Sequence, residues 1–160
     1  MATVYLNLGS NLGVREANLR KAVELLENSF GPCKESNMVE TEPWGFVSAN
    51  SFINMGVACE SDLPPLEILE KIKKIEKEIS EGSHRNDWGE YIDRVIDIDI
   101  MAIGNETIDF PELKIPHIFL ADRYFFLKPF LELAPDWKHP VTHQSLREML
   151  NKLVLSKDNA

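Results

Sequence analysis

The chain has 160 residues, 44% of them hydrophobic, which fits one folded domain over residues 1–160 and excludes a disordered protein. Its net charge of −9 and its pI of about 4.9 disfavour a broad surface for nucleic acid or for an anionic membrane. No apolar run approaches the roughly 20 residues of a membrane span and the first residues form no leader pattern, so we expect a cytosolic protein.

The first half of the chain predicts a strand, a helix and two further strands. The predicted bounds are Thr3 to Leu8 for the strand, Gly9 to Gly13 for a turn, Glu16 to Phe30 for the helix, a strand after Gly31-Pro32 through about Glu40, and a strand from Phe52 to Cys59. The helix has Leu19, Val23 and Leu26 at helical spacing. The last two strands flank a Pro/Gly loop from Glu42 to Asn50 and could pair with each other.

The middle of the chain predicts a second helix, a long polar loop and a fourth strand. Cap signals between Ser61 and Pro65 precede a helix to about Ile79, whose apolar side has isoleucines at positions 68, 72, 75 and 79. The loop from Glu81 to Asp93 is long enough to suggest a function. The resulting order, β-α-β-β-α-β, predicts an α+β ferredoxin-like fold with an antiparallel sheet and helices on one face.

Additional hairpin and helix elements are expected towards the C-terminus. The predicted bounds are a short strand at Thr107 and Ile108, an extended segment from Ile115 to His117, a helix from Ala121 to Leu133 kinked or interrupted near Pro129, a last helix from Ser145 to Leu153, and a frayed tail from Ser156 to Ala160. Cys33 and Cys59 stand 26 positions apart without metal-ligand spacing, which predicts structural free thiols.

The fourth strand contains two carboxylates in an otherwise β-forming run. Because strand side chains alternate between faces, Asp97 and Asp99 share one face with Val95 and Met101, and the isoleucines at 96, 98 and 100 share the other. Two neighbouring carboxylates on a half-buried strand repel each other unless a cation lies between them, and oxygen ligands suit Mg²⁺ or Mn²⁺. This pattern favours phosphoryl or nucleotidyl transfer. The alternative is an exposed edge strand with its polar face in water.

Four short patterns occur together in a fixed order. They are Gly9-Ser10-Asn11-Leu12-Gly13, Thr41-Glu42-Pro43-Trp44-Gly45, the run from Arg94 to Met101, and Ile115-Pro116-His117 followed by Arg123-Tyr124-Phe125. With them the chain resembles the 6-hydroxymethyl-7,8-dihydropterin pyrophosphokinase family of the folate pathway, from Val4 to about Pro135. The resemblance implies a ferredoxin-like fold and transfer of the pyrophosphoryl group of ATP to the hydroxymethyl oxygen of a reduced pterin, with release of AMP.

The resemblance also implies a metal and nucleotide site. Asp97 and Asp99 would hold two Mg²⁺ ions on the triphosphate of the co-substrate ATP. Arg94 would contact phosphate oxygens, although a surface ion pair with Asp93 is the alternative. The remaining residues that the resemblance assigns to ATP are Leu69, Lys73, Ile100, His117 and Arg123. Without the resemblance, Leu69 reads as a core leucine and Lys73 as a solvated lysine.

The expected pterin site combines aromatic faces with a hydrogen-bonding amide. The residues that the resemblance assigns to the pterin are Thr41, Pro43, Trp44, Gly45, Phe52, Asn54, Trp88 and Phe125. Phe52 and Phe125 could equally be core aromatics, but Asn54 lies on the same strand face as Phe52, which combines stacking with hydrogen bonding.

One segment departs from the family pattern. Members commonly continue the second helix with Gly-Arg-x-Arg and reach Trp-Gly-Pro-Arg before the aspartate strand. This chain has Glu81 at the start of that segment and three extra residues between Gly89 and Arg94. Arg85 could replace the missing loop cation as a catalytic residue, and the Arg85→Ala variant is expected to slow catalysis.

Two other classes of protein remain possible at this stage. Polymerase-palm and cyclase-like domains also place paired carboxylates on ferredoxin-like sheets, but they would release pyrophosphate rather than AMP. A small acidic ligand-binding module would bind its ligand independently of Asp97. An RNA-binding protein is the weakest alternative, because the chain is acidic. We expect a monomer whose partners are small-molecule substrates, without nucleic acid or membrane.

Overall fold

A computed structural model describes residues 1–41, 51–80 and 95–158 of the chain. The strands are β1 (Ala2–Ser10), β2 (Lys34–Glu35), β3 (Val39–Thr41), β4 (Phe52–Ser61), β5 (Asp97–Ile103), β6 (Ile108–Asp109) and β7 (Lys114–Ile115). The helices are α1 (Arg15–Phe30), α2 (Pro65–Ser80), α3 (Tyr124–Leu133) and α4 (Leu146–Asp158), with a short 3₁₀ helix at Leu120–Asp122.

The central sheet is antiparallel and has the strand order β2-β4-β1-β5, with β3 also paired to β4. Strands β6 and β7 form a separate two-stranded sheet. The prediction of a ferredoxin-like α+β fold is therefore confirmed. The long β1 and β4 pair over their whole lengths, so β1 lies between β4 and β5 and holds both in register.

One face of the sheet is apolar and is covered by α1 and α2. Alternate residues of β1 and β4 join the buried positions of both helices in one core cluster. The helical spacing read from the sequence is confirmed: Leu19, Val23 and Leu26 are buried in α1, and Ile68, Ile72 and Ile75 in α2. The same cluster takes Ile98 and Ile100 of β5 and Ile96 just before it, as the alternation predicted.

The two helices of the β-α-β-β-α-β unit share one face, as expected. The opposite face is covered by α3, with α4 packed against α3, so the predicted C-terminal helices form a further layer. A second cluster there contains Met101, Phe126, Phe130, Trp137 and Leu146. The pairing of β1 with β5 shifts by one residue at Met101, because Leu6 pairs with Ile100 and Tyr5 pairs with Ala102. This bulge turns both Met101 and Ala102 towards the second cluster.

Two boundaries in the N-terminal half and one in the middle differ from the predictions. β1 continues to Ser10, two residues beyond Leu8. The strand expected through Glu40 is two strands, β2 and β3, because the Ser36 hydroxyl accepts a hydrogen bond from the Gly56 N–H (2.7 Å) in place of a backbone carbonyl. β4 likewise extends to Ser61 rather than ending at Cys59.

The C-terminal helices also differ from expectation. The break in the predicted helix from Ala121 lies at Arg123, whose backbone is extended, and Pro129 lies inside the continuous α3. Helix α4 continues to Asp158, so residues 156–158 are helical where fraying was expected, and residues 159–160 lie outside the described residues. Its start is fixed by a capping box, in which Ser145 Oγ accepts from the Glu148 N–H and Glu148 Oε1 accepts from the Ser145 N–H, both at 3.1 Å.

Within the part of the chain that the structure describes, no helix is both long and apolar enough to cross a bilayer.

Candidate active site

Polar side chains line up in two rows across the face of the sheet that α3 covers. In the first row Gly9 of β1 pairs with Asn54 of β4 and with Asp97 of β5. In the second row Asn7 pairs with Gly56 and with Asp99. Directly opposed residues in an antiparallel sheet point to the same face, so the two carboxylates and the two amides meet on one surface.

Strand β5 is the outermost strand of the sheet, yet its carboxylates do not form a simple solvated edge. The side chain of Asp99 is 33% exposed, and the N–H of His117 donates to the carbonyl of Met101 at 2.9 Å along that edge. Burial raises the pKa of Asp99 to about 7, with further contributions from Asp97 and Glu76. The nearby cations of Lys73 and Arg123 oppose this rise. Negative charge at Asp99 is therefore costly without an added cation.

Glu76 of α2 is a third carboxylate at this site, and the sequence reading missed it. Its side chain is 15% exposed, and Oε2 accepts a hydrogen bond from the N–H of Ile98 at 2.8 Å. Burial raises its pKa, an effect that the Ile98 N–H and Lys73 oppose. The signal was present, because position 76 follows the buried Ile75 and lies one helical turn from Lys73, but it resembles any charged residue on an amphipathic helix.

His117 and Arg123 lie on the other side of Asp99. His117 Nε2 is 3.9 Å from Asp99 Oδ1, and burial, followed by the charge of Arg123, lowers the His117 pKa to about 4. This imidazole is therefore neutral at neutral pH. Its Nδ1 accepts from the Phe119 N–H at 3.1 Å, so the proton lies on Nε2, which can donate one hydrogen bond towards the site without adding charge. The Arg123 guanidinium carbon lies 4.6 Å from the ring centre of Phe119 and 5.2 Å from that of Phe126.

A cavity of about 360 Å³ opens beside Asp99. Five of the residues assigned to metal or nucleotide line it, namely Leu69, Lys73, Asp99, Ile100 and His117. Apolar walls with a few charged groups at one end are typical of nucleotide sites. The structure adds Lys114 and Phe119 to this lining. The sequence did not single out either residue, because both flank the Ile115-Pro116-His117 motif without being part of it.

The amide of Asn54 belongs to the first row, beside Gly9. Its side chain is 4% exposed, and among the described residues its Nδ2 has no hydrogen-bond partner. A Cβ atom at Gly9 would lie 2.6 Å from Asn54 Oδ1, so only glycine leaves room for this amide. Phe52 lies two residues away on the same face, and Thr41 pairs with it across β3 and β4. A buried donor without a partner favours a ligand that supplies an acceptor.

Phe125 is held in place by Asn7. Pro129 has no N–H, so the carbonyl four residues earlier, that of Phe125, has no helical donor. Asn7 Nδ2 donates to this carbonyl at 2.8 Å. The ring of Phe125 stacks edge-on against Phe126, with centroids 5.1 Å apart. The sequence reading marked Phe125 but not the asparagine that positions it.

Several predicted site residues lie outside the described residues. They are Pro43, Trp44, Gly45, Arg85, Trp88 and Arg94. The segment before the aspartate strand that differs from the family pattern, residues 81–93, also lies outside them. Their assigned roles remain predictions. Among the described residues, the structure thus brings together the aspartates, the residues assigned to the nucleotide and part of the set assigned to the pterin.

The donor set that the described residues offer fits Mg²⁺. Over residues 1–41, 51–80 and 95–158, no group of three or more His, Cys, Asp or Glu side chains gathers to hold a metal. Asp97 and Asp99 are hard oxygen ligands, and Mg²⁺ is commonly held by one or two carboxylates while substrate phosphates and water fill the other positions. The raised pKa of Asp99 shows that a cation would relieve an existing electrostatic cost.

Comparison with known proteins gives consistent matches. A family profile described as 7,8-dihydro-6-hydroxymethylpterin-pyrophosphokinase matches residues 5–135. The chain is 43% identical over 148 residues to the 2-amino-4-hydroxy-6-hydroxymethyldihydropteridine pyrophosphokinase of Aquifex aeolicus, covering 92% of this chain and 90% of that protein. It is 42% identical over 142 residues to the protein of the same name from Porphyromonas gingivalis, and this match covers 88% of this chain and 95% of that protein.

A solved structure shares the fold. The crystal structure of Plasmodium falciparum HPPK-DHPS with pteroate superposes with a TM-score of 0.78 at 19% identity. The match covers 99% of this chain and 43% of that one. At this identity the likeness supports the ferredoxin-like fold and its C-terminal additions.

Proposed function

The chain belongs to the 7,8-dihydro-6-hydroxymethylpterin-pyrophosphokinase family, and from this membership we infer that it transfers pyrophosphate from ATP to the hydroxymethyl group of 6-hydroxymethyl-7,8-dihydropterin in folate biosynthesis. The hydroxymethyl oxygen attacks the β-phosphorus of ATP and loses its proton. The bond between the β-phosphorus and the α,β-bridging oxygen breaks, and AMP leaves. The observation that carries the residue assignment is the first row, where Gly9 separates the buried amide of Asn54 from Asp97.

We propose that ATP occupies the cavity beside Asp99. Leu69 and Ile100 supply apolar wall, and Lys73, His117 and Arg123 lie around the carboxylate end, where the phosphates would be. Neutral His117 can hydrogen-bond a phosphate oxygen, and Arg123 supplies fixed positive charge. Arg94 and Arg85 are proposed to add further cations there, on the resemblance of the sequence.

Asp97 and Asp99 would hold the two Mg²⁺ ions. Bound Mg²⁺ would neutralise charge on the triphosphate and lower the pKa of the attacking hydroxyl. Glu76, which is hydrogen-bonded to the backbone of β5, fixes the strand at Ile98, between the two ligands. The charge of Glu76 also raises the pKa of Asp99, so we expect Glu76 to favour a bound cation beside the pair.

The pterin is proposed to lie over Asn54, between the rings of Phe52 and Phe125. The Asn54 amide can donate to a ring acceptor and accept from a ring donor at once. Asn7 fixes the Phe125 backbone through its hydrogen bond, so that ring is positioned before the substrate arrives. Thr41 and the proposed partners Pro43, Trp44, Gly45 and Trp88 would complete the site.

The test is a product analysis with ATP, Mg²⁺ and 6-hydroxymethyl-7,8-dihydropterin, in which nucleotides are separated by chromatography. We expect AMP that depends on the pterin, and its loss in the Asp97→Ala variant. ADP in place of AMP, or pyrophosphate released into solution, would contradict the assignment and favour another two-metal transferase.

The proposal extends to one pyrophosphokinase domain over residues 1–160 that acts as a monomer in the cytosol, where ATP is available. Sedimentation equilibrium of the purified chain, with and without both substrates, tests the monomer. A dimer that persists at nanomolar concentration would contradict it.

A further inference from the structure

Cys33 and Cys59 lie opposite each other at the end of the sheet remote from the aspartates. Lys34 pairs with Ala58 in the ladder between β2 and β4. Continuing this antiparallel register by one residue places Cys33 directly across from Cys59. Cys59 in turn pairs with Val4 of β1, five positions before the Gly9 row that carries the carboxylates.

The position of the pair in the ladder suits a disulfide. The Ser36 N–H donates to the Gly56 carbonyl at 3.0 Å, which marks a hydrogen-bonded pair. Since hydrogen-bonded and non-hydrogen-bonded pairs alternate, Cys33 and Cys59 fall on a non-hydrogen-bonded pair, where the two Cα atoms are about 4.5 Å apart. Disulfides span Cα separations of about 4.4–6.8 Å, so the bond can form without moving the strands.

The two thiols also differ in access to solvent. Cys59 is 2% exposed inside the first core cluster, whereas Cys33 is partly exposed and packs against that cluster. Cys33 Sγ lies 3.4 Å from the carbonyl oxygen of Gly31 at the end of α1. A hydrogen bond between the two thiols lowers the pKa of Cys33 and, with burial, raises the pKa of Cys59. Cys33 is thus the sulfur that an external reagent meets first.

We propose that Cys33 and Cys59 form a reversible thiol–disulfide modification site that reacts with small disulfides such as glutathione disulfide. The Cys33 thiolate attacks one sulfur of the reagent, the reagent's S–S bond breaks, and one glutathione thiolate leaves. Cys59 then loses its proton to solvent and attacks Cys33 Sγ, which expels the second glutathione. Two electrons pass from the protein thiols to the reagent, and one S–S bond replaces another.

The bond would close a loop around residues 34–58. That segment contains β3 and the strand residues Phe52 and Asn54 of the proposed pterin site, while the bond itself lies at the far end of β4. Closing a loop of this size restricts the unfolded chain, so the oxidised protein is expected to melt about 5 °C or more above the reduced protein.

The experiment exposes the full chain, under native conditions, to excess glutathione disulfide and follows it by intact mass and peptide mapping. The wild type is expected to lose two hydrogens, to yield one cross-linked peptide pair containing Cys33 and Cys59, and to regain its mass with dithiothreitol. The Cys59→Ala variant is expected to keep one glutathione on Cys33, because no second thiol can release it. The Cys33→Ser variant is expected to take up none.

A wild type that keeps a glutathione adduct, or that does not react in its native state while both cysteines react after denaturation, would overturn the proposal. So would a cross-link between two chains. Because peptide mapping is carried out on the wild type, the test does not depend on either variant folding.

Discussion

The two faces of the central sheet both pack against helices but differ in chemistry. The face under α1 and α2 is lined by leucine, isoleucine and valine from both layers. The face under α3 is apolar at one end, around Phe130, and carries Asn7, Asn54, Asp97 and Asp99 at the other. The first face stabilises the fold, whereas the polar end of the second face carries the proposed site. Variants on the same strands can therefore separate stability from activity.

The largest expected effect is on the carboxylates. Asp97→Ala should lower the rate of AMP formation by about three orders of magnitude, because a ligand to the ions that stabilise the transferred phosphates is lost. The matched control, Ile103→Val, lies on the same strand in the first core cluster but not in the cavity, and it should cost about 1 kcal/mol of unfolding free energy with little change in rate. Equal rate losses in the two variants would show that the faces are not functionally distinct.

The second effect concerns Gly9. In Gly9→Ala the new methyl group would overlap Asn54 Oδ1, from which its Cβ would lie at 2.6 Å, so the amide must move. We expect the KM for the pterin to rise about tenfold or more, with a smaller change in the KM for ATP. Gly56→Ala is the control: its Cβ would contact Leu133 and Pro129 instead, so it should lower the melting temperature more than it raises the pterin KM. A larger rise in the pterin KM for Gly56→Ala than for Gly9→Ala would contradict the role proposed for Gly9.

A third, smaller effect should follow from Asn7→Ala. The Phe125 carbonyl would lose its donor, which costs about 1–3 kcal/mol for a buried acceptor. We expect a lower unfolding free energy and a severalfold weaker pterin affinity, measured by denaturant titration and by calorimetry. The exposed Asn105→Ala variant, which removes the same side chain from a surface turn, should change neither quantity. Unaltered pterin binding in Asn7→Ala would mean that α3 positions Phe125 without help from β1.

The smallest expected effect is a pH dependence of the metal-free protein. The pKa of Asp99 is raised in the fold from 3.8 to about 7, so its contribution to stability is fully present below about pH 4 and is lost as pH rises through 7. The His117 pKa is lowered from 6.5 to about 4, so its contribution is present above 6.5 and is lost as pH falls through 4.

In excess chelator, the melting temperature of the wild type relative to Asp99→Asn should therefore fall by about 5 °C between pH 5 and pH 8. Adding Mg²⁺ should reduce this fall, because the ion stabilises the charged carboxylates. A difference that stays constant across the same range would show that Asp99 is not perturbed.

The apolar face was predictable because it follows simple periodicity. Leu19, Val23 and Leu26 repeat at helical spacing, and Ile96, Ile98 and Ile100 alternate along a strand, so both patterns give element type and buried side. The order of elements then fixed the ferredoxin-like arrangement. The two C-terminal helices were predicted, but not the face of the sheet that they cover, because their contacts with the sheet join positions far apart in the chain.

Candidate residues could be proposed where a motif contained them, as with Asp97, Asp99 and His117, or where strand alternation grouped them, as with Asn54 and Phe52; their roles remain predictions. Glu76 and Asn7 were missed because each acts through a backbone group of another element: Glu76 through the N–H of Ile98, and Asn7 through the carbonyl of Phe125. The sequence shows that Pro129 cannot donate a hydrogen bond to the Phe125 carbonyl. Which side chain donates instead depends on how β1 packs against α3. The nearness of Cys33 to Cys59 likewise depends on strand register.

The row of Asp97, Gly9 and Asn54 also sets the distance between the proposed metal side and the proposed pterin side of the site. The three residues lie on adjacent strands, and strands in a sheet are about 4.7–4.9 Å apart, so the metal side and the pterin side are separated by about 10 Å of hydrogen-bonded backbone. Loop changes before the aspartate strand cannot alter this spacing. A single inhibitor that joins a pterin to an adenosine phosphate would therefore need a linker matched to two strand widths, whatever conformation the loops adopt.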